Sequence, residues 1–153
     1  MPEEWLIDGY NLLHDLKTKN KKNFQRSVGW LVEKIASFAS ARSCPTCIVF
    51  DGFGSDEEFE ASKTPYFRAV YSKSVTADAY IERYLYDHRK DSQFVVVTKD
   101  RAISQIARGV GARVLNVDEF MEMLESAQKE GSDILFRNQA KAHGFNRPFN
   151  DKL

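Results

Sequence analysis

At 153 residues the chain has the length of one domain, and it can bury about 70% of the surface its unfolded form exposes without help from disulfides or a structural metal. Its 22 basic and 22 acidic side chains cancel, which excludes a molecule that attracts polyanions through net charge alone. No run of about 18 apolar residues occurs, which excludes a helical membrane span. The opening Met-Pro-Glu-Glu-Trp lacks the basic-then-apolar plan of a signal peptide, so the default expectation is a cytoplasmic protein.

Trp5-Leu6-Ile7 is a short apolar run that stops at Asp8-Gly9, the pattern of a buried strand ending in a turn. Lys17, Lys19, Lys21, Lys22 and Arg26 then form a basic stretch without an acid. From Phe24 to Phe38, apolar residues fall at 24, 28, 31, 32, 35 and 38, which is helical spacing. The two cysteines lie in Cys44-Pro45-Thr46-Cys47. They are too few for a four-ligand zinc site, and they lead into an apolar strand rather than the helix N-terminus that redox pairs use. The pair therefore reads as incidental.

Cys47 to Phe50 is the next strand, and it too stops at an Asp-Gly pair, Asp51-Gly52. Residues 53–65, with Asp56, Glu57, Glu58 and Glu60, read as an exposed loop. Phe67 to Tyr71 alternates weakly and predicts a short strand. Ala77 to His88 predicts a helix with Thr76 as its N-cap. Phe94 to Thr98 is the clearest strand, β-branched and apolar throughout. A helix over 101–108, a strand over 113–117 and a helix capped by Asp118 follow. Alternating strands and helices, with strands apolar on both faces, predict a three-layer α/β/α sandwich around a central, mainly parallel sheet. The domain is expected to run over 1–131. Residues 132–153, with Arg137, Lys141, His143, Arg147 and Lys152, form a basic, irregular C-terminal tail.

In an open parallel sheet, ligands bind beyond the carboxyl ends of the strands. Three runs end there in an acid: Ile7 to Asp8, Phe50 to Asp51, and Thr98-Lys99 to Asp100. Asp78 occupies the first turn of the helix after the weak strand, and Glu82 shares its face one turn on. Carboxylates within ~5 Å of one another repel and take up protons unless a cation sits among them. Mg²⁺ suits a few carboxylates together with water and phosphate oxygens, and it can support attack on a phosphodiester. Each acid also has a local use. Asp8 and Asp51 serve turns, Asp78 favours a helix dipole, Asp100 caps a helix, and Glu82 is a solvated helix residue. The joint pattern points to metal-assisted phosphodiester hydrolysis.

Four segments stand in order along the chain: Ile7-Asp8-Gly9-Tyr10-Asn11-Leu12-Leu13, Val49-Phe50-Asp51-Gly52, Thr76-Ala77-Asp78-Ala79-Tyr80-Ile81-Glu82-Arg83 and Val96-Val97-Thr98-Lys99-Asp100. Together they resemble the NYN domain, in particular its bacterial YacP-like branch within the PIN-like nuclease superfamily. The similarity spans about residues 4–130. It implies a PIN-like fold and an endoribonuclease that uses Mg²⁺ or Mn²⁺. By position, Asp8, Asp78 and Asp100 would be the catalytic, metal-binding acids. Asn11 would orient the Asp8 side or touch phosphate, and Asp51 and Glu82 are the additional candidates. The branch includes a ribonuclease acting on translated mRNA at the ribosome, which implies single-stranded RNA or mRNA as substrate and the ribosome as a partner. Lys99 departs from relatives that carry a small residue such as Ser.

For RNA contacts, Lys17, Lys19, Lys21, Lys22 and Arg26 are expected near the Asp8 edge, with Arg101 extending the surface. Tyr10, Tyr66 and Phe53 are candidates to stack on unpaired bases. His14 and His143 suit surface or packing roles better than acid–base chemistry. A receiver domain wants two adjacent early acids, but Gly9 follows Asp8. A haloacid-dehalogenase phosphatase wants an acid where Tyr10 stands. The closer rival is a non-catalytic RNA- or ribosome-binding module of the same fold. The intact acids argue against it, because a polyanion binder gains nothing from clustered carboxylates.

Overall fold

The computed structural model describes residues 2–19, 24–54 and 64–126. Five strands form the sheet: β1 (Glu3–Asp8), β2 (Thr46–Phe50), β3 (Phe67–Tyr71), β4 (Gln93–Val97) and β5 (Arg113–Leu115). They pair in the order β3-β2-β1-β4-β5, and every pairing is parallel. All of β2 is buried, as are the last four residues of β4. Apolar sequence throughout a strand signals a parallel sheet covered on both faces, so the predicted α/β sandwich is the observed fold.

Among the described residues, α1 (Gly9–Lys19), α2 (Phe24–Arg42), α3 (Ala77–His88) and α4 (Arg101–Gly109) cover the sheet, together with helical turns that begin at 117. Strand side chains alternate between faces. On one face Leu6, Cys47, Val49 and Val96 pack with Ala77, Ile81 and Leu85 of α3 and Ile103 and Ala107 of α4. Trp5 points the other way, where its ring lies 5.4 Å from that of Phe38 on α2 and 5.9 Å from that of Phe120. Cys44 and Cys47 are buried and not disulfide-bonded. Burial is the main force pushing both thiols up to about 11, so neither supplies a reactive thiolate at neutral pH.

The chain separates into two compact units, Met1–Phe120 and Met121–Leu153. In the second, residues 121–126 are helical. Residues 55–63 of the expected acidic loop and the basic tail from 132 onward lie outside the described residues.

Two local readings differ from expectation. Asp8-Gly9 is not a free turn, because α1 starts at Gly9 itself. A Cβ there would lie 2.6 Å from the Val49 carbonyl oxygen and 2.7 Å from Phe50 Cδ1. The helix therefore seats directly on the end of β2, and only glycine permits that approach. Gly9→Ala is expected to destabilise the fold by about 1–3 kcal/mol through overpacking, read by urea unfolding. A neutral result would mean that α1 is free to shift. The second difference concerns β5, which stops at Leu115. Asn116, not Asp118, begins the following helical turns. Asn116 N–H donates to Glu119 Oε1 (2.9 Å) and Glu119 N–H donates to Asn116 Oδ1 (2.8 Å), a reciprocal cap that competes with strand continuation.

Candidate active site

The chain builds β2 and β3 on one side of β1, then crosses to β4 and β5 on the other. Connections thus leave β1 and β4 in opposite directions, which opens a crevice at their carboxyl ends. Asp8 closes β1 at this crevice and is buried, with 2% of its surface exposed. Asp100 follows β4 as the N-cap of α4, where its Oδ1 accepts from Ile103 N–H at 3.0 Å. Asp51 follows β2, and its Oδ1 accepts from Ala77 N–H at 2.8 Å, fastening that strand end to the start of α3. Asp78 is exposed in the first turn of α3.

The joint between β1 and β4 is Thr98, a residue that sequence reasoning treated only as the end of a strand. Its hydroxyl lies 2.9 Å from Asp8 Oδ2 and 3.0 Å from Asn11 Oδ1, and it accepts from Asp100 N–H at 3.0 Å. One hydroxyl has one proton, so it serves the two oxygens in alternation. Asn11 Oδ1 also accepts from Lys99 N–H, which fixes the orientation of the amide. The available signal was a hydroxyl residue at the carboxyl end of a strand, two positions before an acid. Its partners, 90 and 87 positions away, could not be read from that signal.

The electrostatics follow from this placement. Burial raises the Asp8 carboxyl above its ordinary range and Asp78 adds repulsion, while Thr98 and the backbone N–H groups of Asn11 and Tyr10 oppose the rise. Asp78 is raised as well, first by burial and then by Asp100 and Asp51. The N-termini of α1, α3 and α4 all meet here, and their dipoles offset part of the repulsion. They do not cancel it. Among the described residues, Asp8 Oδ1 is buried and finds no hydrogen-bond partner of good geometry, although the backbone N–H groups of Asn11 and Tyr10 favour the charged carboxylate. Buried polar atoms are nearly always paired, so this oxygen is an acceptor in want of a positive partner.

A divalent cation fits that want. Among the described residues no three His, Cys, Asp or Glu side chains form a ready-made cage. The charge of Asp78 instead bears on Asp8, and those of Asp100 and Asp51 bear on Asp78. Such an open arrangement suits a hard divalent ion that keeps several waters and needs one or two carboxylates.

The remaining candidates divide by position. Glu82 is exposed one turn further along α3 and does not figure among the charges that shift Asp78. Tyr10 is exposed at the start of α1, with its ring stacked 6.1 Å from His14. Arg101 is exposed beside Asp100. Lys17 and Lys19 fall on α1 and Arg26 on α2, but their side chains lie outside the described residues, as do Lys21, Lys22 and His143 entirely. Tyr66 goes elsewhere: its carbonyl accepts from Thr46 N–H at the amino end of β2, so it stands at the edge opposite the acids. Lys99 is exposed, with Nζ 3.8 Å from Asp118 Oδ1. Beside it a groove of about 400 Å³ runs from Thr98 past Ser104, Arg108 and Asn116.

The sequence matches the YacP-like NYN domain over residues 5–153. The chain belongs to that family. Its fold is shared with Rae1 (YacP) from Bacillus subtilis, with a TM-score of 0.74 and 21% identity over 92% of this chain and 84% of that one. The W164L mutant of Rae1 gives 0.72 and 22%, covering 92% and 85%. A more distant likeness is to T5 5'-exonuclease with divalent zinc ions bound, with a TM-score of 0.45 and 20% identity over 68% of this chain and 51% of that one. None of the curated proteins matches by sequence. This YacP-like NYN domain therefore has the α/β fold of Rae1. Among the described residues, no helix is long and apolar enough to cross a membrane.

Proposed function

We propose that this NYN domain is a divalent-metal-dependent endoribonuclease whose catalytic acids are Asp8, Asp78 and Asp100. The observation that carries the reading is the Oδ1 of Asp8, buried at the β1–β4 crevice without a hydrogen-bond partner among the described residues, with the Asp78 charge bearing on the same carboxyl. Those three acids would hold Mg²⁺ or Mn²⁺, with Asp51 as an additional candidate. When bound, such an ion supplies an activated water and stabilises charge building on a phosphodiester.

The chain's own residues do the positioning. Thr98 ties the Asp8 carboxyl to Asn11 through its shared hydroxyl, and Asp100 is held by the first turn of α4. Lys99 and Arg108, along the groove from Thr98, supply cations toward a phosphate backbone, with Arg101 beside Asp100. The same role is proposed for Lys17, Lys19, Lys21, Lys22, Arg26 and the basic tail 132–153, which would append to a nuclease domain over 1–131. RNA as the substrate class, and the ribosome as its setting, rest on the family resemblance.

The test is metal removal. Cleavage of single-stranded RNA is expected with Mg²⁺ or Mn²⁺, lost in excess EDTA and restored on refilling. RNA bound but uncut under every metal condition would instead favour the non-catalytic binding module.

A further inference from the structure

We infer that Phe53 is a stacking platform for an unpaired nucleobase of the strand lying across the acidic end of the sheet, a reading that rests on the nuclease assignment of that site. Phe53 is 78% exposed, which is unusual for so apolar a ring. Its backbone is held on both sides. Asp51 is tied to α3 through Ala77 N–H. Gly52 N–H donates to Ser72 Oγ at 3.0 Å, and Gly52 C=O accepts from Lys73 N–H at 2.7 Å. Gly52 itself takes φ +88°, a conformation that favours glycine.

Gly54 presses on the Tyr71 ring so closely that a Cβ would lie 2.2 Å from its Cζ. That ring is backed in turn by Phe50 at 5.4 Å. A loose loop could fold its phenyl group down onto the surface, whereas this one holds it out in water. Rigid presentation lowers the entropy lost when a flat partner is captured.

Location and environment single this ring out. Asp51, two residues earlier, is one of the charges acting on Asp78, so Phe53 leaves the sheet at the acidic end. The other exposed aromatics are already engaged or misplaced. Tyr10 stacks on His14, Lys34 lies over Trp30, and Arg89 lies over Tyr86. Tyr66 is at the opposite edge. Among the described residues no ring or cation contact involves Phe53. Beside a site for phosphodiesters, a free aromatic face matches an unstacked base, which a single strand offers and a duplex conceals.

The test is fluorescence anisotropy of a labelled single-stranded oligoribonucleotide with the full chain in EDTA, where cleavage cannot interfere. Phe53→Ala is expected to raise Kd by about tenfold, and Phe53→Trp to bind as wild type does. An abasic ribose-phosphate oligomer of equal length should not distinguish Phe53→Ala from wild type. Equal Kd for wild type and Phe53→Ala on the normal oligomer, an equal loss on the abasic one, or no binding by wild type overturns the proposal. Cleavage assays in Mn²⁺ separate the two readings. An inactive wild type whose RNA affinity still depends on Phe53 sinks the nuclease alone. An active enzyme indifferent to Phe53→Ala sinks the platform alone.

Discussion

Asp78→Asn is expected to lower the rate of RNA cleavage by on the order of 10²-fold or more while the fold persists. Asp78 is the common member of the acidic group, acting on Asp8 and acted on by Asp100 and Asp51. Its structural duties are slight. Thr76, not Asp78, caps α3, accepting from Ala79 N–H at 3.0 Å. The loss of a favourable dipole interaction from an exposed first-turn carboxylate costs about 0.3–1 kcal/mol. Asp100→Asn makes a matching probe, because asparagine caps a helix as well as aspartate does; it removes charge and keeps the bond to Ile103. Both variants should bind RNA in EDTA at least as tightly as wild type, since each removes a charge that repels phosphate. Circular dichroism and steady-state cleavage would check this. Full activity in either variant removes that residue from the catalytic set.

The second large effect concerns Asp8 and its response to cations and pH. A bound divalent ion at a hundredfold excess over Kd should stabilise the wild type by about 2.7 kcal/mol, or about 5–10 °C in Tm. Asp8→Asn should lose most of that gain. Without metal, the raised carboxyl makes a signed prediction. Below about pH 4 the group is protonated in both folded and unfolded chains and contributes nothing. As pH rises from the unfolded value toward the raised folded one, the unfolded state gives up its proton first, so the folded state loses stability. Asp78 contributes with the same sign. Relative to Asp8→Asn, the metal-free wild type should therefore lose stability as pH climbs from about 4 through the raised range of this carboxyl. Thermal melts across that window, with and without Mn²⁺, check both parts. An identical Mn²⁺ response in the two proteins would detach Asp8 from the metal.

Patterns that repeat locally were readable from the sequence itself. Phe94 to Thr98 announced a strand buried on both faces because no polar side chain interrupts it. Asp8, Asp51 and Asp100 could be placed at one edge because parallel strands share a direction. Thr76 and Asp100 announced their caps by residue type, and both caps are present.

What needed the tertiary structure depends on contacts between distant segments. The order β3-β2-β1-β4-β5 sets which acids are neighbours, and no single strand encodes it. α1 begins at Gly9 because a missing Cβ lets it rest on Val49 and Phe50, whereas Asp-Gly alone signals a turn. Thr98 joins Asp8, Asn11 and Asp100 only once β1 and β4 lie side by side. Tyr66 and Phe53 looked alike as exposed aromatics until chain direction sent them to opposite ends of the sheet. Local propensity acts over one or two turns, while the burial that leaves Asp8 Oδ1 without a partner among the described residues is the work of the whole fold; that is why the acids and a cation among them could be expected from sequence but the buried oxygen could not.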